Sequence, residues 1–150
     1  MHMSAIDDLD RKLLNALIAN SRLSYRQISR KLGVSVVTVM KRAHKLEKAG
    51  IIKGYTAVLD HEKLGYDLQV VIDLRVSKGK LFDVENLIAN RSNVVTVYDV
   101  TGSSDVLLVC RFKSRRQLDE FVKYVQTIPN VARTHTRLIL NAIKEGPSPV

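Results

Sequence analysis

With 150 residues, 45% of them hydrophobic, the chain is long enough to bury one core or two small ones. No apolar run reaches membrane-spanning length and no secretory leader is visible, so we expect a cytoplasmic protein. Residues 1–60 carry +6 of the formal net charge of +9, as expected for a polyanion-binding module, and the alternative is a solvated basic surface that maintains solubility.

Two helices are predicted before residue 33. Leucines at helical spacing after Asp7 indicate an amphipathic helix over residues 8–19, with acidic residues at its positive end. Ser24 and Gln27 have capping-box spacing at the start of a shorter second helix, which ends before Gly33.

Residues 35–50 predict a third helix. Ser35 is a suitable N-cap and Gly50 is placed to end the helix. One side is apolar and can be buried, while the other is basic and begins with small residues, as a helix that enters a DNA groove requires. Together with the second helix it forms a helix-turn-helix pattern.

After the third helix the periodicity changes. Residues 51–59 predict two short strands about Lys53 and Gly54, which would form a hairpin or wing. Residues 1–60 are therefore interpreted as a winged helix-turn-helix DNA-binding domain. The alternative is a three-helix protein-interaction bundle, against which the basic face of the third helix argues.

The C-terminal half predicts a second domain. Residues 61–67 lose periodicity and are interpreted as a linker, and residues 143–150 as a flexible tail. Residues 68–142 predict a β-α-β-β-α-β order, the ferredoxin-like pattern, so the fold class is α+β. The predicted elements are strands at 68–76, 94–100, 106–112 and 131–140, with helices at 81–90 and from Ser114 to before Pro129.

A longer set of positions follows the pattern of one family. These positions are Leu9, Asp10, Leu13, Leu14, Leu17, Ser21, Arg22, Ile28, Leu32, Gly33, Ser35, Thr38, Val39, Arg42, Leu46, Glu47, Gly50, Ile51, Ile52, Gly54, Tyr55, Leu59, Asp60, Leu64 and Gly65. In this order and spacing the chain resembles the Lrp/AsnC transcriptional regulators, also called feast/famine regulatory proteins. With the C-terminal domain, the resemblance extends to about Ala142.

The resemblance implies a sequence-specific DNA-binding transcription regulator. It implies a C-terminal effector-binding and oligomerisation domain, through which subunits form dimers that assemble further, commonly into octamers. Palindromic sites with half-sites about one helical turn apart would be the targets. An amino acid or similar small metabolite would modulate binding.

Candidate DNA contacts divide into those that specify and those that position. For base reading the candidates are Val37, Thr38, Lys41 and Arg42. For phosphate binding they are Ser24, Tyr25, Arg26, Ser35, Lys45, Lys48 and Lys53. Each lysine is alternatively a solvated charge, and Arg42 alternatively braces the domain through an ion pair.

The effector candidates are in one loop and one strand. Gly102, Ser103, Ser104 and Asp105 form a loop in which the glycine permits close approach of a ligand and the aspartate takes an ammonium group. The resemblance implies that this loop helps to form an effector pocket at a subunit interface. Thr134 and Thr136 are expected to line the same region. The alternative is a polar β-turn.

No metal site, cofactor or catalytic site is expected. His44, His61 and His135 lack metal-ligand spacing, and Cys110, the single cysteine, is interpreted as a core thiol. Two rival functions stay open. One is a nucleoid-type architectural protein that binds DNA with little sequence preference. The other is a siroheme-decarboxylase-like enzyme, since those enzymes resemble Lrp/AsnC proteins throughout, but His135 and Arg137 are thin support for a tetrapyrrole pocket.

Overall fold

The structure, a computed structural model, describes residues 6–150, which divide into two compact units. The first unit extends to Val58 and includes Lys144–Val150, and the second unit is Leu59–Ile143. Residues 59–67 thus belong to the second unit, and the tail belongs to the first. In residues 6–150, no helix combines the length and the hydrophobicity that a membrane crossing needs.

The first unit contains three helices with the predicted caps. They are α1 (Asp8–Ala19), α2 (Tyr25–Leu32) and α3 (Val36–Lys48). The side chains of Asp7, Ser24 and Ser35 each accept a hydrogen bond from a backbone N–H in the first turn, which satisfies one of that turn's unpaired donors. The buried core of this unit consists of Leu13, Leu14, Ala16, Leu17, Ile28, Val39, Ala43 and Leu46.

The hairpin predicted at residues 51–59 is not formed, because residues 51–60 contain no strand. The end of α3 explains the difference. Gly50 adopts a left-handed φ of 69°, and the N–H groups of Ile51 and Ile52 donate to the carbonyl of Leu46 at 2.9 and 3.2 Å. These two residues therefore complete a Schellman-type helix end and are unavailable for a strand ladder.

The second unit confirms the predicted β-α-β-β-α-β order. Its elements are β1 (Leu68–Val76), α4 (Leu81–Ala89), β2 (Val94–Asp99), β3 (Val106–Phe112), α5 (Arg115–Thr127) and β4 (Val131–Leu138). All strand pairs are antiparallel, in the spatial order β2-β3-β1-β4. The ends of β2, β4, α4 and α5 lie within one or two residues of the predicted positions, which is the usual uncertainty of an element's boundary.

The sheet of the second unit has two different faces. Alternate residues of β1 and β3, including Ile72 and Leu108, are fully buried together with Val84 and Ile88 of α4 and Val125 of α5. The residues between them point to the opposite face, which we call the open face. The open face carries Val71, Asp73, Arg75, Thr96, Tyr98, Leu107, Val109, Arg111, Arg133, His135 and Arg137.

Candidate functional site

Helix α3 has one buried and one exposed side, as a DNA-reading helix needs. Val39, Ala43 and Leu46 are buried, whereas the Val37 side is open to solvent, with Val37 itself 53% exposed. Lys41 is also exposed, one turn further along the same side. A small apolar residue followed by a cation matches the contacts that base edges offer in a major groove.

Thr38 and the α3 cap form one small polar group. The Ser35 hydroxyl accepts from the Thr38 N–H at 3.0 Å, and the two side-chain oxygens are 2.8 Å apart. The Ser35 hydroxyl is therefore engaged in capping, while backbone N–H groups of the first turn remain available to an anion. The same arrangement occurs at Ser24, whose hydroxyl caps α2 by accepting from the Gln27 N–H at 3.2 Å.

Arg42 and Lys45 both form ion pairs with the buried side chain of Asp10. The Arg42 Nη1 and the Lys45 Nζ lie 3.1 and 3.3 Å from the carboxylate oxygens of Asp10, which is 0% exposed. Arg42 also forms an ion pair with Asp7. The hydrogen bond from Arg42 lowers the pKa of Asp7 below its ordinary value, and the hydrogen bond to Asp7 raises the pKa of Arg42. These four side chains, which we call the Asp10 cluster, join α1 to α3.

The Asp10 cluster changes the predicted set of DNA contacts. The Nη1 of Arg42 donates to both Asp7 and Asp10, which holds the guanidinium beside α1, and Lys45 is directed at the same buried acid. Of the two interpretations given for Arg42, the structure therefore supports the bracing ion pair. Sequence patterns did not assign this role to Lys45.

The remaining phosphate candidates lie on exposed parts of the first unit. Arg26, Lys48 and Lys53 are exposed, and no described acidic side chain forms an ion pair with them. Tyr25 is half-buried and packs edge-on against the ring of His44, with centroids 6.4 Å apart. His44 is a residue that sequence reasoning missed as a DNA candidate. Its spacing of three from Lys41 and four from Lys48 places it on their side of α3 and was the available signal.

The segment after α3 is anchored to that helix by Tyr55. The Tyr55 hydroxyl donates to a carboxylate oxygen of Glu47 at 2.9 Å. Burial, together with the negative charge of Glu47, raises the pKa of Tyr55 to about 12. This contact sets the course of residues 51–55, and hence of Lys53, beside α3.

In the second unit, Asp105 stabilises its own loop. One carboxylate oxygen accepts from the backbone N–H of Val76 at 2.8 Å, and the other accepts from Arg75 at 3.3 Å. Arg75 also reaches the carbonyl of Gly102, which has a φ of 114°. Each oxygen of Asp105 therefore already accepts a hydrogen bond within the chain, and the role of this acid as a partner for a ligand ammonium group stays a prediction.

In the single chain, Thr134 and Thr136 lie on the opposite side of the sheet from the open face, and their role in an effector pocket at a subunit interface stays a prediction. They pair in register with Leu74 and Ile72, whose side chains are buried on the helix side of the sheet, and Thr134 accepts from Gln126 of α5 at 3.3 Å. Because neighbouring residues of a strand point to opposite faces, the open face instead receives the residues on either side of Thr134. These are Arg133 and His135.

A cavity of about 150 Å³ lies where the loop meets the open face. Its lining residues are Asp73, Arg75, Ser103, Ser104, Arg133 and His135. Ser103 and Ser104 thus line this cavity, whereas Gly102 and Asp105 of the same loop form hydrogen bonds with Arg75.

No metal site emerges from the geometry of residues 6–150, which contain no suitably placed group of three or more His, Cys, Asp or Glu side chains. Cys110 is buried in the core of the second unit, and this burial raises the pKa of its thiol to about 12. Since Cys110 is fully buried among the core residues, its interpretation as a core thiol is confirmed.

Comparisons with known proteins agree with both units. A winged helix-turn-helix DNA-binding profile matches residues 6–53, and the Lrp/AsnC ligand binding domain profile matches residues 69–149. An uncharacterized HTH-type transcriptional regulator of Pyrococcus furiosus is 45% identical over 140 residues, which cover 93% of this chain and 95% of the relative.

Two solved structures are similar over nearly the whole chain. AsnC of E. coli has a TM-score of 0.91 at 27% identity, covering 97% of this chain and 99% of that one. A transcriptional regulator of Neisseria meningitidis in complex with L-Met has a TM-score of 0.86 at 27% identity, covering 95% and 94%. The relatives are transcriptional regulators, not enzymes.

Proposed function

The chain belongs to the Lrp/AsnC family of DNA-binding transcriptional regulators, and we propose that it recognises a palindromic DNA sequence as a dimer. The observation that carries this proposal is that α3 has one buried side and one exposed side. Its apolar side is buried in the first unit, and its other side presents Val37 and Lys41 to solvent. Two such helices, one from each subunit, would enter successive major grooves. A protein of this kind acts in the compartment that holds the DNA, so a cytoplasmic location is part of the proposal.

The structure narrows the proposed contacts. Val37, Thr38 and Lys41 read base edges, since Val37 and Lys41 are exposed in the first half of α3 and the half-buried Thr38 adjoins Val37. Arg42 and Lys45 brace α1 against α3 and are left out of the interface. The proposed phosphate contacts are Ser24, Tyr25, Arg26, Ser35, Lys48 and Lys53.

Dimerisation is proposed to use the open face of the second unit. The apolar side chains of Tyr98, Leu107 and Val109 lie together there, on the side of the sheet opposite α4 and α5. A sheet with apolar residues on both faces needs a second layer, and a second copy of the same sheet provides one. Further assembly of dimers into octamers is proposed from the family resemblance.

A small metabolite is proposed to modulate DNA affinity by binding the second unit. The Neisseria relative is a complex with L-Met, which supports a small-molecule effector in this domain. Binding that favours one assembly state over another would alter DNA affinity by the same coupling free energy.

Selection of bound sequences from a random double-stranded DNA pool tests the proposal at a fixed, stated salt concentration. We expect one enriched motif with two inverted half-sites about 10 base pairs apart. Val37→Ala should relax the base preference at one position of each half-site, whereas the matched change Val95→Ala, at an exposed valine in β2, should leave the motif unchanged. Retention of DNA without an enriched motif would favour the architectural protein.

A further inference from the structure

His44 lies on the exposed side of α3, among the residues proposed to contact DNA. It follows Val37 by seven residues and Lys41 by three, and it precedes Lys48 by four. Residues at these spacings lie on the same side of a helix. All four side chains are exposed. A histidine therefore stands between two lysines on the side of α3 that would meet a DNA groove.

A tyrosine of α2 holds the His44 ring in place. Tyr25 is the first residue of α2 and is half-buried, and its ring centroid lies 6.4 Å from that of His44, with the two planes at 82°. An edge-to-face contact of this kind is favourable and orients both rings. The Ser24 hydroxyl caps only the Gln27 N–H in the first turn of α2. His44 thus lies between the lysines of α3 and a helix N-terminus that attracts phosphate.

The titratable groups around His44 come from three elements. They are Tyr25 of α2, Lys41, Lys45, Glu47 and Lys48 of α3, and Tyr55 of the segment after α3. The Glu47 carboxylate accepts from the Tyr55 hydroxyl at 2.9 Å, whereas no described acidic side chain forms an ion pair with Lys41 or Lys48. These two lysines oppose a further positive charge at His44 in the free protein.

A DNA phosphate beside His44 reverses this balance. Phosphates neutralise the neighbouring lysines, and they accept strong hydrogen bonds from an imidazolium, in which both ring nitrogens are donors. Histidine is also the side chain that ordinarily changes its charge between pH 5 and pH 8. The protonated form of His44 is therefore favoured more strongly on DNA than in the free protein.

We propose that His44 is a further phosphate contact of the DNA interface and acts in its protonated form, so that each subunit takes up a proton when it binds DNA. This inference rests on the proposed function, in which this side of α3 lies on DNA. Because the bound state holds more protons than the free state, DNA affinity is highest at low pH and falls as pH rises through the range in which histidine titrates. A phosphate contact makes this dependence the same for every DNA sequence.

Fluorescence anisotropy of the full-length protein with random-sequence double-stranded DNA tests the contact, at pH 6 and pH 8 and over a series of salt concentrations. Each neutralised phosphate adds about 0.9 to the slope of log affinity against log salt. For a wild-type dimer we expect a slope steeper by about two units at pH 6, and an affinity about tenfold higher or more at equal salt.

Variants of His44 separate its charge from its packing. His44→Gln keeps a hydrogen-bonding side chain without a titratable charge, so its salt slope should be the same at both pH values and equal to that of the wild type at pH 8. His44→Arg carries a permanent charge and should keep the steep slope at both pH values.

The matched control is His61→Gln. The ring of His61 also packs edge-on against a tyrosine, Tyr66, at 6.0 Å, but both residues belong to the second unit. His135→Gln, on the open face, controls for titration of the proposed dimer interface. Both variants should keep the pH dependence of the wild type.

The opposite outcomes would overturn the His44 contact. They are a wild-type salt slope independent of pH, an unchanged pH dependence in His44→Gln, or its loss in His61→Gln or His135→Gln. Random DNA bound with a His44-dependent pH effect, but without an enriched motif, would refute sequence-specific recognition and leave the contact standing. Motif selection without the pH effect would refute the contact alone, and absence of DNA binding at both pH values would refute both.

Discussion

Removal of the Asp10 carboxylate should destabilise the first unit selectively. Asp10 is 0% exposed and accepts from Arg42, from Lys45 and from the backbone N–H of Asp7, the last at 3.3 Å. In Asp10→Ala the two cations of the Asp10 cluster lose their shared partner, and α1 loses one half of its capping box.

The size of this effect follows from the exposure of the partners. Breaking a buried ion pair by removing one partner costs about 3–5 kcal/mol when the remaining charge stays buried. The side chains of Arg42 and Lys45 are 30% and 40% exposed, so both can turn toward water in the variant. We therefore expect the unfolding free energy of the first unit to fall by about 2–3 kcal/mol, at or below the lower end of that range.

Hydrogen exchange followed by mass spectrometry on the full-length chain measures this loss locally. A decrease of about 2–3 kcal/mol predicts about 30- to 160-fold faster exchange of those α1 and α3 amides that exchange through opening of the whole unit. Peptides from β1 and β3 should be unaffected. The control is Asp8→Ala on the same helix, because its carboxylate is 83% exposed and its pair with Lys12 is of the weak surface kind. Equal exchange rates in the two variants would refute the reasoning.

Two further predictions concern the second unit. Val109→Asp places a charge on the open face and should convert dimers to monomers in analytical ultracentrifugation. The control is Phe82→Asp, at an exposed position of α4, which should leave dimers intact. The reverse pattern would exclude the open face as the interface. Burial, and then the neighbouring carboxylate of Asp99, raises the pKa of Glu85 from 4.5 to about 7. The folded state then binds more protons than the unfolded state between these values, so stability should fall as pH rises from 4.5 to about 7. Glu85→Gln should lessen that fall in pH-dependent thermal unfolding, and an unchanged profile would contradict the assignment.

The helices and their caps were predictable because their signals are local. Ser24, Gln27 and Ser35 act within one turn of the helices they begin, and each forms the expected cap. In the second unit, β1 was predictable because hydrophobic and polar residues largely alternate along it, and this alternation indicates which residues face a core.

The site was less predictable because its contacts join distant parts of the chain. Asp10 lies 32 residues from Arg42 and 35 from Lys45, and their meeting depends on how α1 packs on α3. The side of the sheet on which Thr134 lies was not predictable for another reason. Strand β4 has no regular apolar alternation, so only its register with β1 shows that Arg133 and His135 face the cavity.

Binding of Lys41→Ala to the selected DNA motif and to random-sequence DNA tests most directly the claim that α3 reads sequence. If Lys41 contacts a base, affinity for the motif should fall by about 1–3 kcal/mol while affinity for random DNA changes much less. Lys48→Ala, a proposed phosphate contact on the same helix, should weaken both complexes about equally and reduce the salt dependence. Equal losses on both DNAs for Lys41→Ala would contradict base reading by this residue, and equal affinity of the wild type for both DNAs would contradict sequence-specific recognition itself.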